Sequence, residues 1–394
     1  MGVTLPKAAW RDRPGLARLI AALGPGQARI VGGAVRDTLL GIDTADVDLA
    51  TPLSPQDVID RLEAARIKAV PTGIDHGTIT AVSNDEVYEV TTLRRDVATD
   101  GRHATVAFTD DWREDAARRD FTINALYADP ATGELFDYFD GAADLAARRI
   151  RFIGDPLQRI AEDHLRILRF FRFLARFGDE ADAEGLAACT ARANDLMALS
   201  RERIANELLR LLIAPRAVSV VALMIEHGIF APVLPEITDA TAFARLAGRE
   251  ADAGIAPDPI RRLAALLPAD GKIAADVGAR LKLSKKQRQQ LESATVSPDA
   301  APRALAFRLG VPLAIDRLLL GEGDAQAIRD WTPPSLPVSG GVLVAKGLSA
   351  GPDVARTLHR IADRWVAEDF PDTARVTAIT DEEVAQALDA IRKA

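Results

Sequence analysis

The sequence predicts an α+β chain: a mixed strand-and-helix head over roughly the first 150 residues, then helices to the end. Two observations carry that reading. β-Branched runs punctuated by Gly, Asn and Asp recur before residue 150, and beyond Asp155 they give way to apolar residues at helical spacing. Pro-containing breaks at Pro232–Pro235, Pro298–Pro302 and Pro333–Pro337 then divide the second part into helical units.

In chain order, strands are expected at Ile30-Val31, Val47-Asp48-Leu49, Thr78–Val82 and Val87–Thr92. Between the second and third, Ser54–Ala69 reads as an amphipathic helix with Ser54 as N-cap and Pro55 at its first position. Thr99-Asp100-Gly101 marks a mobile loop. Helices are expected at Pro156–Phe177, Ala183–Leu196, Arg201–Ile213, Ala217–His227, Pro259–Leu267, Ala274–Leu281 and Lys285–Thr295. Four more follow, at Pro302–Leu309, Ala314–Leu320, Pro352–Glu368 and Asp381–Lys393. There is no internal repeat or low-complexity tract.

At 394 residues the chain is long for one domain, and two to four units are expected. Its composition, 48% hydrophobic and 27% charged, is that of a globular protein. No run of 18 apolar residues offers a membrane span, and the start has no apolar signal core. Pro6 stands where a myristoylation motif needs Ser or Thr. A lone cysteine, Cys189, excludes an internal disulfide and a cysteine-based zinc site, so a cytoplasmic location is expected. A net charge of −8 argues on its face against nucleic-acid binding. Arginines nevertheless cluster at Arg94, Arg95, Arg102, Arg118 and Arg119, along 148–176, and at Arg201 and Arg203, which is compatible with a basic channel for RNA.

Three constellations carry chemistry. In Arg29-Ile-Val-Gly32-Gly33-Ala-Val-Arg36-Asp37, paired glycines let the backbone approach a phosphate and Arg36 supplies a forked cation for it. Asp46 and Asp48, one residue apart on a strand, share a face and suit divalent metals in nucleotidyl transfer. Taken alone, Asp-x-Asp reads more readily as a solvated strand end; the glycine motif upstream reverses that reading. Glu89 has the strand context for a third carboxylate and is as compatible with an exposed strand position. Second, Arg118-Arg119-Asp120-Phe-Thr-Ile-Asn124 offers forks and acceptors for phosphate and ribose, or a solvated helix turn. Third, in Glu162-Asp163-His164-Leu-Arg166, with Arg169 and Arg172 following, polar residues step by three along one helix, drifting about 60° each time. The stripe is either solvent-facing or a cation row beside a groove. Ile167, Phe170, Phe171, Leu174 and Phe177 make the packed face. The histidines are isolated, and His76 shapes a turn between glycines.

These motifs, in this order, resemble those of the class II tRNA nucleotidyltransferase and bacterial poly(A) polymerase superfamily. Gly73–Thr80, Glu89–Arg94 and Leu199-Ser-Arg-Glu-Arg203-Ile-Ala-Asn-Glu207-Leu208 add to the likeness, whose motifs run from residue 29 to about 212. The resemblance implies a polymerase-β-like nucleotidyltransferase head (1–150), a neck that selects the base (151–213), a body (214–310) and a tRNA-binding tail (311–394). It implies CCA addition to the tRNA 3′ end from CTP and ATP, with Mg²⁺ as cofactor and no protein partner. A poly(A) polymerase, an enzyme restricted to CC or A addition, and a non-catalytic RNA-binding homologue are the alternatives. By residue, it implies triphosphate contacts at Gly32, Gly33 and Arg36, metals and catalysis at Asp46 and Asp48 with Glu89, and phosphate and ribose contacts at Arg119 and Asp120. It makes Asp163 and Arg166 the template for the base, with Arg169 and Arg172 also on the nucleotide. Val97–Thr105 matches the segment used in switching from CTP to ATP. The motifs of an added His-Asp phosphohydrolase domain are missing, as is a basic C-terminal extension.

Overall fold

The computed structural model describes residues 4–44, 46–100 and 103–393, with side chains omitted at 96–100 and 103–106. It comprises two compact units, Met1–Pro235 and Glu236–Ala394. Their boundary falls on the first of the proline breaks.

The first unit opens with α1 (Pro14–Leu23), β1 (Arg29–Val31), α2 (Gly33–Leu39) and β2 (Asp48–Thr51). It continues with α3 (Pro55–Ala64), β3 (Lys68–Gly73), β4 (Thr78–Ser83), β5 (Glu86–Thr92), β6 (Arg94–Asp100) and β7 (His103–Phe108). After α4 (Trp112–Ala117) come β8 (Leu126–Ala128), β9 (Leu135–Asp137) and α5 (Gly141–Ala146). One mixed sheet of seven strands runs β3-β4-β5-β2-β1-β8-β9, and β6 and β7 form a separate hairpin. All four strands expected from the sequence are present.

One pairing sets up the site. β2 and β5 run parallel in a register that places Asp48 opposite Glu89. Register partners project to the same face, so the two carboxylates are neighbours although 41 positions separate them. The crossover between these strands contains α3, capped by Ser54, whose hydroxyl accepts from the Asp57 amide at 3.1 Å. The helix stops at Ala64, short of the expected Ala69. Arg66 adopts a left-handed φ of 54°, Arg66 N–H donates to the Glu63 carbonyl and Ile67 N–H to the Leu62 carbonyl. That is a Schellman ending made without glycine, so the sequence gives no sign of it. The expected loop around Thr99–Gly101 is strand on both sides, to Asp100 and from His103; its tip, Gly101 and Arg102, lies outside the described residues.

Helices α6 (Pro156–Glu162), α7 (Leu165–Phe177), α8 (Ala183–Ala191), α9 (Arg201–Leu212) and α10 (Ala217–Glu226) complete this unit. The helix expected over Pro156–Phe177 is therefore two. Asp163 breaks it with an extended φ of −153°, and its Oδ1 accepts from the Leu165 amide at 3.1 Å. A short acidic side chain competing for the local backbone is the cause. The apolar face of α7 is buried as expected, with Phe173 added to it. Phe121 packs against Phe152, Phe170 and Phe173 at ring separations of 4.9, 6.3 and 5.3 Å, which fastens the segment between α4 and β8 to α7.

The second unit consists of α11 (Thr241–Asp252), α12 (Pro259–Ala264), α13 (Gly271–Arg280), α14 (Lys285–Ala294), α15 (Pro302–Leu309) and α16 (Val311–Leu320), then α17 (Gly340–Ala345), α18 (Pro352–Ala367) and α19 (Thr373–Lys393). Two helices, α11 and α17, have no counterpart in the sequence reading. Inside this unit lies a charged core: Arg261 donates to Glu250 at 2.8 Å and to Asp316 at 3.0 Å, and Arg262 donates to Glu250 at 2.7 Å. Burial pushes the Asp316 carboxyl up to about 6, with Asp258 adding to the rise while Arg261 and the Gln290 amide oppose it. The folded protein thus holds a proton there that the unfolded chain releases. Its contribution to stability is full below pH 4 and is lost as pH rises through 6. Relative to Asp316→Asn, the wild type should lose about 2 kcal/mol between pH 4 and pH 7, measured by urea denaturation at both values. Parallel pH profiles for the two proteins would refute this.

Candidate active site

A cleft of about 520 Å³ opens in the first unit, and its lining is almost entirely polar. Gly32, Gly33 and Arg36 come from the β1–α2 turn, Asp48 from β2, Arg118, Arg119, Asp120 and Asn124 from the segment after α4, and Asp163, Arg166 and Arg169 from the α6–α7 joint and α7. Motifs more than 100 residues apart thus converge. Gly32 has φ 67°, and a Cβ there would lie 3.5 Å from the Asn124 carbonyl oxygen and 3.6 Å from Arg119 Nη1. The turn requires glycine on conformational grounds and keeps the backbone open to the cleft.

Asp46 and Asp48 are exposed, and Glu89 stands beside Asp48. Although solvent reaches the residue, desolvation by the surrounding protein raises the Asp48 carboxyl, the negative charges of Glu89 and Asp46 raise it further, and Arg119 only partly offsets them. Among the described residues no three His, Cys, Asp or Glu side chains converge into a closed cage for an ion. Crowded, uncompensated carboxylates with open positions fit a hard divalent cation that completes its shell with water and substrate phosphate. Asp46 and Glu89 do not line the cleft itself, whereas Asp48 does.

The cations are held by an organised set of acceptors. Arg36 is buried; its Nε donates to Asp37 at 2.8 Å and its Nη1 to Asn124 Oδ1 at 2.5 Å, and its guanidinium lies 4.2 Å from the Phe177 ring centre. Asn124 in turn donates to Asp120 at 3.0 Å, and Asp120 takes Arg169 Nε at 2.7 Å. Burial opposes the charge on Asp120, but Arg169 and the Asn124 amide hold its carboxyl below the usual range. Asp120 is therefore a holder of Arg169 more than an open acceptor.

Asp163 and Arg166 both reach the cleft and both have protein partners. Asp163 Oδ2 accepts from Arg203 at 2.8 Å. Arg166 Nη1 donates to the Arg159 carbonyl and to Glu162, and Nη2 to the Arg118 carbonyl. A guanidinium has five N–H groups, so Nε and one Nη2 proton stay available. Arg172 departs from expectation. It lines a different cavity and donates to Glu207 at 2.5 Å, because its position on α7 turns it away from the nucleotide side.

Asp115 escaped the sequence reading. Fully buried, it accepts from Arg118 Nε at 2.9 Å, Arg119 Nη2 at 3.1 Å, the Tyr127 hydroxyl at 2.6 Å and the Arg94 amide at 3.3 Å. Burial pushes its carboxyl up, yet Arg119, Arg118 and Tyr127 hold it down at about 2. Its spacing, three and four residues ahead of two arginines at a helix end, was the available signal. Asp115→Ala should cost about 3 kcal/mol or more in urea unfolding, since it strands two guanidiniums, and should raise KM for the nucleotide. Unchanged stability would contradict the role. His76 contributes its carbonyl, which accepts from Arg94 Nη1 at 2.6 Å.

Known proteins resemble this chain in sequence and in fold. Residues 28–151 match the family described as the Poly A polymerase head domain, and residues 182–241 match the probable RNA and SrmB- binding site of polymerase A. The mitochondrial CCA tRNA nucleotidyltransferase 1 of Mus musculus is 36% identical over 362 residues, covering 86% of this chain and 82% of the relative. The chain belongs to the CCA-adding tRNA nucleotidyltransferase family. The CCA-adding enzyme of Levilactobacillus brevis is 44% identical over 188 residues, 47% of this chain and 46% of that one. The structure of the Bacillus stearothermophilus CCA-adding enzyme in complex with CTP matches with a TM-score of 0.71 and 26% identity, over 97% of this chain and 98% of that chain. The Thermotoga maritima CCA-adding enzyme complexed with tRNA shares the fold, with a TM-score of 0.68 at 20% identity, over 95% and 96% of the two chains. The CCA-adding family places the chain among template-independent nucleotidyltransferases, which generally use divalent metals. Among the described residues, no helix is long and apolar enough to cross a membrane.

Proposed function

We propose that this chain adds C, C and A in turn to the 3′ end of tRNA, consuming two CTP and one ATP and releasing pyrophosphate at each step. The observation that carries the reading is the convergence of Gly32, Arg36, Asp48, Asp163 and Arg166 on a single cleft. In each step the terminal 3′-hydroxyl oxygen bonds to the α-phosphorus, the bond to the bridging oxygen breaks to release pyrophosphate, and the hydroxyl proton passes to water. Gly32, Gly33, Arg36 and Arg119 grip the triphosphate, and Asp115, Asp120 and Asn124 keep those cations in position. Asp46 and Asp48 would hold Mg²⁺, with Glu89 adding negative charge beside them; a bound ion there would lower the pKa of the attacking hydroxyl and offset phosphate charge.

Base choice follows from hydrogen-bond chemistry. Cytosine and adenine each present an amino donor beside a ring-nitrogen acceptor, whereas uracil and guanine present the reverse. Asp163 accepts from the amino group, and the spare protons of Arg166 serve the ring nitrogen. Arg169 ties this pair to the phosphate side through Asp120. By function we divide the chain into a head (1–150), a neck (151–213), a body (214–310) and a tRNA-contacting tail (311–394). Cys189, buried with its thiol pushed up, suits the reducing cytoplasm.

The test is purified protein with tRNA ending before CCA, Mg²⁺, and CTP, ATP or both. Two additions with CTP alone and a third only with ATP support the proposal. Long adenylate tails on unstructured RNA would mark a poly(A) polymerase. A reaction that stops at CC, or adds only A, would mark a restricted enzyme, and no incorporation would mark a binding protein.

A further inference from the structure

His164 reads as an isolated histidine in the sequence, and the fold gives it a partner. It stands alone between Asp163, which closes α6 with an extended φ of −153°, and Leu165, where α7 begins. It occupies the N-cap position of α7, with φ −60° and ψ −18°, yet its side chain caps nothing. The ring turns instead to the 3₁₀ turn Ala193–Ala198, where Nδ1 lies 3.6 Å from Asp195 Oδ2. Asp163 lines the nucleotide cleft and His164 does not.

The two groups are close without being bonded. A separation of 3.6 Å is too long for a hydrogen bond, and among the described residues neither His164 Nδ1 nor Asp195 Oδ2 has another such partner, although both atoms are buried. Arg192 Nε comes within 2.7 Å of the same Asp195 oxygen, off the line that a hydrogen bond needs. The other charges at the joint are engaged with one another. Arg203 on α9 holds Asp163 at 2.8 Å, and Glu162 pairs with Arg159 at 2.9 Å and Arg166 at 2.5 Å. Asp195 is therefore the acid that faces the imidazole, with Arg192 as the neighbouring cation. Solvent still reaches 20% of the His164 side chain and 28% of that of Asp195, so a proton can come and go.

A ring with a bare Nδ1 turns a lone pair toward the carboxylate. A protonated ring turns an N–H toward it, and the charge-assisted hydrogen bond draws the two together. Imidazole side chains ordinarily change charge between pH 5 and 8. Asp163 is already tied to α9 through Arg203. A second tie, from the next residue to the turn that precedes α9, would hold the joint at two points of one segment and restrict the tilt of the Asp163 carboxylate.

We propose that His164 is a positioning residue for base choice: when protonated it bonds to Asp195, pins the α6–α7 joint and sharpens the selection made by Asp163. The inference rests on the template role proposed above for Asp163.

The test reads the ratio of kcat/KM for CTP to that for UTP on one tRNA lacking CCA, at pH 6, 7 and 8. Titration elsewhere, or a merely structural disturbance, acts on both nucleotides alike and cancels in the ratio. The wild-type ratio should fall about threefold from pH 6 to pH 8, as for a partly exposed ion pair. His164→Gln and Asp195→Asn should each give a ratio that is flat with pH and near the wild-type value at pH 8. The double variant should match either single one, because both changes break the same contact. A flat wild-type profile would overturn the inference, as would a threefold fall that persists in His164→Gln or single-variant effects that simply add. Asp163→Ala, run beside them, separates the two readings. An unchanged ratio in that variant defeats the template role and this inference with it, whereas a lowered ratio there with a flat wild-type profile defeats this inference alone.

Discussion

Asp48→Ala should lower the rate of nucleotide addition by at least about a thousandfold while changing tRNA affinity less than twofold. Losing one of two metal carboxylates removes several kcal/mol of transition-state stabilisation, and each 1.4 kcal/mol is a factor of ten. Among the described residues the Asp48 side chain accepts no hydrogen bond, and the desolvation and the crowding by Glu89 and Asp46 that raise its carboxyl are relieved by the change. The metal-free variant should therefore melt no lower than the wild type. Rate loss accompanied by a fall in melting temperature would mean that Asp48 acts through structure. Single-turnover incorporation, filter binding and calorimetry together separate these outcomes.

Asp163→Ala should reduce discrimination between CTP and UTP by about 10- to 100-fold, from the roughly 1–3 kcal/mol that a mismatched buried acceptor imposes. Asp163 also caps Leu165 and holds Arg203, so the variant disturbs the joint as well. A disturbance of that kind slows every nucleotide alike, and the ratio of kcat/KM values for CTP and UTP is blind to it. An unchanged ratio would refute the template role. Arg203→Lys, which keeps the charge and shortens the fork, should leave the ratio near that of the wild type.

Much of this could be read from the chain before any geometry. The four strands, the Ser54 cap and the buried face of α7 follow from short-range rules, because their causes lie within a few residues. Asp46, Asp48 and the glycine turn announced themselves by spacing. What escaped depends on tertiary context. Asp115 is one acid among many until folding buries it against two arginines and a tyrosine. Arg172 reads as one more cation in a stripe, and its pairing with Glu207, 35 positions on, is visible only once the chain is folded. The helix break at Asp163 was hidden because the apolar period runs through it unchanged.

That break has a mechanical consequence. A residue inside a helix can be repositioned only by sliding or unwinding the whole rod. Asp163 belongs to neither α6 nor α7, so a few degrees of tilt in either one lifts or lowers its carboxylate with every rung of both ladders intact. On the template role proposed for Asp163, such a pivot would let one acceptor meet amino groups that a pyrimidine and a purine place at different depths.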